Sequence, residues 1–389
     1  MIILCKYKLI IRKLLRYVKS RLVILIWFFP GLWYFIFSKK LNRNRILIIY
    51  DLKSQPFSIG DLLTFQMASL VLKSKYDCKH IDFALIGNPS QIIQSTHTFK
   101  NIDSENYFFH LAGILPVIQV NPFLGSLFAF SSMTELEEYI LSSISKTHIW
   151  PTKWQIEVSR EYLYYEIIEN ILFPFYSKNN YLPCLESRKP LQQWARTFLK
   201  SQLKDEIAIT VNLRNNPHYQ IERNANISSW VSFFKWALDN KFPAKFFVIC
   251  ASTEVDTRFR SINNVVIIRD FNTNIENDLA LVEQASFHMG VASGPSAMAF
   301  FSNKPYAIFR AEFDKQYFKN NKIIKFQQND RIQKLFFANE FQFFVSGEEN
   351  VLDIIKYFKI LWDSIAGIHV DQDELLTIDE KYKLINWLR

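Results

Sequence analysis

The stretch FHMGVASGPSAMAFFSNKPYAIF, Phe287 to Phe309, decides how the chain folds. An apolar run typical of a strand leads into a helix start of small residues, and a second apolar run follows. Two of the nine glycines in 389 residues, Gly290 and Gly294, stand at this junction together with Pro295. Strand, turn, helix and strand in this order form the repeating unit of a parallel α/β sheet.

The same alternation extends upstream to residue 207. Short β-branched runs alternate there with segments whose apolar residues recur at helical spacing. We predict strands at residues 207–213, 245–252, 265–270, 287–293 and 305–309, and helices at residues 228–241, 254–260, 275–285 and 295–303. This order predicts a parallel sheet covered by crossover helices.

A shorter series of the same kind occupies the N-terminal half. Strands are predicted at residues 45–52, 81–87 and 113–120, and a helix follows the first strand. Ser132 and Glu135 form a capping-box pattern, so another helix is expected to begin there. Residues 153–204 have helical periodicity with breaks near Pro174 and around Leu182-Pro183. The predicted fold class is therefore α/β, with two Rossmann-like lobes that face a cleft.

These patterns divide the chain into consecutive predicted segments. A basic and apolar membrane-anchor segment covers residues 1–44, the N-terminal lobe 45–150, a helical connection 151–204, the C-terminal lobe 205–345, and C-terminal helices 346–389. At about 150 residues per domain, the chain is long enough for two lobes.

The first segment is distinguished by its charge. Residues 1–45 contain eleven Lys or Arg and no Asp or Glu, so the net charge of +9 leaves −2 for the rest of the chain. The body of the protein is therefore not expected to bind nucleic acid. Residues 22–37 form an uncharged run that would be about 24 Å long as a helix, shorter than a bilayer core of roughly 30 Å, and Pro30-Gly31 interrupts it.

We expect residues 1–45 to contact an anionic membrane surface, as a peripheral or monotopic anchor at the cytoplasmic face of the inner membrane. Trp27, Trp33 and Tyr34 suit the headgroup level. A secretory signal is disfavoured because the region before the apolar run is long and no cleavage site follows. A buried pair of N-terminal helices is the alternative.

The sequence disfavours several classes of site. The four cysteines and seven histidines are scattered without metal-ligand spacing, so we expect reduced thiols and no metal site. The turn at residues 293–296 matches neither G-x-x-x-x-G-K-[ST] nor G-x-G-x-x-G, which disfavours a P-loop NTPase and a dinucleotide site. No bound cofactor is predicted.

The turn Ser293-Gly294-Pro295-Ser296 is nevertheless a candidate ligand site, because ligands bind beyond the carboxyl ends of parallel strands. Gly294 permits close backbone approach or positive φ, and Pro295 suits a first helical turn. Ser293 or Ser296 can cap the helix or bond a phosphate. Free amides and the helix dipole would then form an anion site. A tight, well-capped turn without a ligand is the alternative.

Three motifs within residues 205–345 carry a resemblance to a known family. They are Val211-Asn212-Leu213-Arg214, Glu222-Arg223-Asn224-Ala225 and the run from Gly290 to Gly294. They resemble the V-R pair, the Y-R-N-A element (with Glu in place of Tyr) and the G-x-x-S-G helix start of bacterial GT-B glycosyltransferases encoded with surface-polysaccharide genes. In the N-terminal lobe, Ser58-Ile59-Gly60-Asp61 resembles the S-x-G-D turn of heptosyltransferase-like GT-B proteins.

The resemblance implies a GT-B-like fold and specific roles for these residues. Asp61 corresponds to a proposed catalytic base, with Ser58 and Gly60 beside it on the acceptor side, and Asn224 belongs to the donor site. A helix N-cap is the alternative role for Asp61. His218 and Glu222, in the polar loop, are alternative bases.

Chemical requirements point to further residues of the donor site. A departing diphosphate needs cations, and Arg214 at a strand end and Arg223 nine residues later can supply them, unless both are solvated loop arginines. Ser252 and Asp270, which end the next two predicted strands, could contact the nucleotide or simply close a turn.

The predicted function is an inverting, metal-independent glycosyltransferase that moves a sugar from a nucleotide sugar to a cell-envelope polysaccharide or lipid-linked acceptor. A non-catalytic sugar-nucleotide-binding scaffold and a sugar-nucleotide epimerase of the same fold are the alternatives.

Overall fold

A computed structural model describes residues 44–88, 102–143, 147–154, 163–217, 221–313, 322–327 and 331–365. The predicted membrane segment, His218 and residues 366–389 lie outside these ranges. No helix among the described residues combines the length and the apolar character that crossing a membrane requires.

The first sheet contains four parallel strands. They are β1 (Arg45–Asp51), β2 (His80–Ile86), β3 (Leu124–Phe130) and β4 (Thr147–Trp150), in the spatial order β3-β2-β1-β4. The described residues of this lobe also form the helices α1 (Ile59–Lys75), α2 (Tyr107–Gln119) and α3 (Met133–Ser143). β1 and β2 agree with the sequence prediction, and α3 begins where the capping box predicted it. Glu135 accepts hydrogen bonds from the Ser131 amide and hydroxyl, and its own amide donates to Ser132 Oγ at 3.3 Å.

The predicted strand at residues 113–120 is wrong, because these residues form the second half of α2. Ile114, Val117 and Ile118 are buried at helical spacing, whereas Gly113 is exposed. A short apolar run fits either a strand or a buried helix face, and only packing against α1 distinguishes the two. The third strand is β3, and β4 was not predicted.

In the connection between the lobes, the described residues from 163 onward form α4 (Tyr164–Ile167), a π-helical turn (Ile168–Leu172), α5 (Phe173–Asn179) and α6 (Lys189–Gln202). The predicted break near Pro174 is wrong. Pro174 falls in the first turn of α5, directly after the π-helical turn, where a missing N–H is tolerated. The break around residues 182–183 is confirmed by the extended segment between α5 and α6.

The second sheet contains eight strands. They are β5 (Ile207–Asn212), β6 (Ala244–Ile249), β7 (Val265–Ile267), β8 (Phe287–Val291), β9 (Tyr306–Phe309), β10 (Ile324–Gln327), β11 (Ile332–Leu335) and β12 (Gln342–Val345). Its helices are α7 (Ile227–Asp239), α8 (Ile275–Gln284), α9 (Ser296–Phe300) and α10 (Val351–Ile365). In space the strands follow the order β10-β11-β12-β9-β8-β5-β6-β7. The six strands β12, β9, β8, β5, β6 and β7 are parallel, and β10 and β11 extend the sheet in antiparallel fashion.

The strand order identifies both sheets as Rossmann-like. Counted along the chain, the parallel strands of the second sheet follow the spatial order 3-2-1-4-5-6, and those of the first follow 3-2-1-4. The predicted α/β class with parallel sheets is therefore confirmed. The antiparallel β10 and β11 were not predicted.

A continuous apolar core joins the two lobes. It includes residues of β1 and α1 from the first lobe and of α8 and α9 from the second, all buried in one cluster. A second cluster, rich in aromatic residues, lies between the second sheet and helices α7 and α10. The shared core holds the carboxyl ends of the two sheets on either side of one cleft.

Candidate functional site

The cleft lies at the switch points of both sheets, where the chain order reverses and parallel α/β folds bind ligands. In the second sheet this point is between β5 and β8, and in the first between β1 and β4. Residues that follow β5 and β8, among them Arg214 and Ser293, line one side of a cavity of about 1260 Å³. Residues that open α1, from Ser58 to Asp61, line the other side.

Gly294 lies at the contact between the lobes. A Cβ at Gly294 would stand 2.6 Å from Ile59 Cβ and 3.3 Å from the Gly60 nitrogen, both at the start of α1. Gly294 is therefore required because the turn before α9 lies so close to the start of α1 in the other lobe. Gly290 is required for a different reason, because its φ is +138° and a Cβ there would lie 2.2 Å from the Asn212 oxygen.

The amides of the turn after β8 are engaged within the turn. The N–H groups of Ser296, Ala297 and Met298 donate to the oxygens of residues 293, 294 and 295 at 3.2, 3.1 and 3.1 Å. α9 is also only five residues long. The expected anion site of free helix amides is therefore wrong for these three groups.

The two serines of the turn are held by buried polar groups. Ser293 Oγ accepts a hydrogen bond from the side-chain Nδ2 of Asn212, at the end of β5. Ser296 Oγ donates to the Val291 oxygen and lies 3.3 Å from His288 Nε2, while His288 Nδ1 lies 3.0 Å from Thr210 Oγ1. Complete burial lowers the pKa of His288 to about 3, so this imidazole is neutral.

Arg214 and Arg223 both lie on the cleft wall of the second lobe, as predicted. The backbone oxygen of Arg214 accepts a hydrogen bond from the Ala225 N–H at 2.8 Å. This bond holds the polar loop against the end of β5. Arg223 Nη2 donates to the Ala292 oxygen at 2.9 Å, at the end of β8. The loop contact therefore places the two arginines, nine residues apart in sequence, in one wall.

Other predicted donor residues lie elsewhere. Asn224 bonds both the nitrogen and the oxygen of Asn216, at 2.9 and 2.7 Å, so it shapes the polar loop. Asp270 pairs with Arg260 at 2.7 Å, and both side chains are about half exposed. Ser252 is exposed in the turn after β6. The described cleft wall contains none of Asn224, Asp270 and Ser252.

Two further arginines of the cleft, Arg269 and Arg310, were not identified from the sequence. Arg269 donates to the buried Asp278 at 2.8 Å. Burial raises the pKa of Asp278 to about 6, although Arg269 opposes this shift. Arg310 donates through Nε to Glu349 at 2.6 Å. Glu254, also missed, lines the cleft and accepts the Asn215 N–H at 3.0 Å.

Asp61 is the buried carboxylate of the opposite wall, with 7% of its surface exposed. It lies in the first turn of α1, while Ser58 occupies the N-cap position, so the alternative role as N-cap is wrong. A helix N-terminus favours a negative charge at this place. Burial and then the charge of Asp61 raise the pKa of Tyr164, which also lines the cleft.

The remaining candidates are distributed around the same cleft. Ser58, Gly60 and Glu222 line it, as do Pro295 and Ser296. His218 lies outside the described residues. Within the described ranges, no three His, Cys, Asp or Glu side chains are grouped closely enough to hold a metal ion.

No protein-family model matches the chain, and no curated protein sequence matches it. Among solved structures, it is similar to a glycosyl transferase family 9 protein from Veillonella parvula, with 10% identity over 88% of this chain and 97% of the other and a TM-score of 0.47. It is also similar to E. coli ADP-heptose LPS heptosyltransferase II, with 10% identity, 83% and 99% coverage and a TM-score of 0.47. A third similarity is to an E. coli heptosyltransferase with ADP-2-deoxy-2-fluoro heptose, with 12% identity, 81% and 99% coverage and a TM-score of 0.39.

All three are named as glycosyltransferases, the class of enzyme that the sequence motifs resemble.

Proposed function

We propose that the cleft transfers a sugar from a nucleotide-sugar donor to an acceptor hydroxyl, as a glycosyltransferase of GT-B type. The observation that supports this most is that one cleft holds two arginines on one wall and a buried carboxylate on the other. Arg214 and Arg223 stand on the wall of the second lobe, and the buried Asp61 stands on the wall of the first. Such a cleft separates cations for a leaving anion from a base for an incoming nucleophile.

The second lobe would bind the donor. Arg214 and Arg223 can hydrogen-bond the diphosphate and stabilise the negative charge that grows on it as the glycosidic bond breaks. Glu254 follows the second strand of this Rossmann-like sheet, near the place where carboxylates bind ribose hydroxyls in related folds. Metal independence is part of the proposal, because arginines can supply the charge that a divalent cation supplies elsewhere.

The first lobe would bind the acceptor. In an inverting transfer the acceptor oxygen forms a bond to the anomeric carbon while the bond to the diphosphate breaks on the opposite face. The acceptor proton passes to the base, and the diphosphate leaves with the electron pair. Asp61 is the preferred base because it is buried on the acceptor wall, with Glu222 on the other wall as the alternative.

The acceptor and the location complete the proposal. We infer a cell-envelope glycan or a lipid-linked acceptor at the cytoplasmic face of the bacterial inner membrane. Support comes from the basic and apolar character of residues 1–45, which suits an anionic membrane surface.

The test combines nucleotide binding with turnover. Calorimetric titration of the full chain with UDP, GDP, CDP and ADP should identify one that binds, and the corresponding sugar nucleotides are then assayed for transfer. Asp61→Asn should preserve nucleotide affinity and melting temperature but lower turnover by roughly 10² to 10⁴, the usual contribution of a positioned base. Asp270→Asn is the matched control, since that exposed residue lies away from the described cleft wall.

The outcomes separate the rival functions. Full transfer by a folded Asp61→Asn protein would exclude Asp61 as the base. Nucleotide binding without transfer to any acceptor would favour a scaffold. Interconversion of free sugar nucleotides in the absence of an acceptor would favour an epimerase.

A further inference from the structure

Arg310 has a backbone conformation that few non-glycine residues adopt. It follows β9 at the cleft with φ +54°. A non-glycine residue is strained in this region and persists there only where its surroundings hold it. The Arg310 side chain is only 14% exposed, so contacts of its guanidinium can provide that restraint.

The guanidinium of Arg310 joins two separate segments. Its Nε donates to Glu349 Oε2 at 2.6 Å, and its Nη1 donates to the backbone oxygen of Glu222 at 2.8 Å. Glu349 is 1% exposed, and its other oxygen accepts the Asn226 N–H at 2.6 Å and the indole N–H of Trp230 at 3.2 Å. Arg310 and Glu349 therefore bind both ends of the described loop that precedes and enters α7.

That loop carries Arg223, the proposed donor cation. Arg223 Nη2 donates to the Ala292 oxygen, and the Ala292 N–H donates to the oxygen of Phe309, the residue before Arg310. The contacts form a closed ring through Arg310, Glu222, Arg223, Ala292 and Phe309. The loop is thus held between the ends of β8 and β9 from two sides.

We propose that Arg310 and Glu349 form a clamp that positions Arg223 for the anionic part of the donor. Arg310 is a positioning residue, which acts through the Glu222 carbonyl and not through a contact with the ligand. The role assigned to Arg223 rests on the proposed function. The mechanical part, that the clamp orders residues 221–226, does not.

Hydrogen exchange of the full-length protein tests the mechanical part. Arg310→Lys keeps the charge, but an ammonium cannot reproduce the fork that reaches both Glu349 and the Glu222 carbonyl. Amides of residues 224–226 should exchange roughly tenfold faster in this variant and in Glu349→Gln, as expected for the loss of local hydrogen bonds. Arg331→Lys is the matched control, because Arg331 pairs with Asp353 and is not part of the described cleft wall. Unchanged exchange in both clamp variants would overturn the proposal.

Nucleotide titration tests whether the clamp acts through Arg223. Arg223→Ala should weaken binding of the nucleotide diphosphate by roughly 10- to 100-fold. Arg310→Lys should weaken it by a smaller factor, and the double variant should be no weaker than Arg223→Ala alone. Losses that multiply would mean that Arg310 binds the ligand directly, which overturns its positioning role. If the wild type binds no nucleotide diphosphate, the proposed function fails while the exchange result still decides on the clamp.

Discussion

Gly294→Ala should destabilise the protein by forcing the lobes apart. The added Cβ would lie 2.6 Å from Ile59 Cβ and 3.1 Å from Ile59 Cγ2. Carbon atoms in contact are normally about 3.5 to 4.0 Å apart, so the start of α1 and the turn before α9 must separate by about 1 Å. Both Ile59 Cβ and the Gly60 nitrogen are fixed to the helix backbone, so no side-chain rotation relieves the contact.

The expected cost follows from the packing around this contact. α1 and α9 belong to the same continuous core, which resists local expansion. Inserting one methyl group into such a place costs about 1 to 3 kcal/mol of the free energy of unfolding. A shift of about 1 Å between the walls of the cleft could also lower turnover by as much as about 10².

Gly60 provides a matched control on the facing helix. A Cβ at Gly60 would lie 3.6 Å from the Gly294 Cα, an ordinary contact distance. Gly60→Ala should therefore be neutral or stabilise by about 0.5 to 1 kcal/mol, since alanine is the better helix residue.

Urea denaturation followed by circular dichroism measures these differences. Ile59→Ala in the Gly294→Ala background should not restore stability, because the closer Cβ atom remains. Equal stability of Gly294→Ala and Gly60→Ala would refute the close-approach explanation for the glycine.

Three further predictions concern charge. Arg214→Ala should weaken nucleotide binding by roughly 10- to 100-fold in calorimetric titration, and an unchanged affinity would remove Arg214 from the donor site. Burial raises the pKa of Asp51 from 3.8 to about 6, so the folded state binds a proton more tightly and loses stability as pH rises from about 4 to about 6. Asp51→Asn should remove this pH dependence, so that its free energy of unfolding exceeds that of the wild type by about 1 to 3 kcal/mol at pH 7.5 but not at pH 4. Parallel curves of unfolding free energy against pH for the two proteins would contradict this prediction. Deletion of residues 1–38 should move the protein from the membrane fraction to the soluble fraction with the described lobes still folded, whereas equal partitioning of both forms would exclude the anchor.

The sequence alone identified most of the elements, because hydrophobic periodicity records which face of each segment is buried. The alternation from β5 to β9 was predicted nearly strand by strand, and it implied a parallel sheet with a cleft at its carboxyl ends. Gly294 and Arg214 were chosen because they follow predicted strands, and Arg223 because a departing diphosphate needs cations. Asp61 was chosen through the resemblance of its S-x-G-D turn. All four line the cleft.

Tertiary structure decided what periodicity leaves ambiguous. The apolar pattern of residues 113–120 fits a strand and a buried helix face equally well. Packing against α1 makes this segment helical. Gly294 was predicted to admit a ligand, and the structure instead places Ile59 and Gly60 against it. The Arg310–Glu349 pair joins residues 39 positions apart and left no local pattern. Local sequence thus determined the elements and the ends at which ligands bind. Contacts between residues far apart in the chain determined which side chains share a cleft wall. The energy of such a contact depends on the distance between the two groups in space, which local sequence patterns do not show.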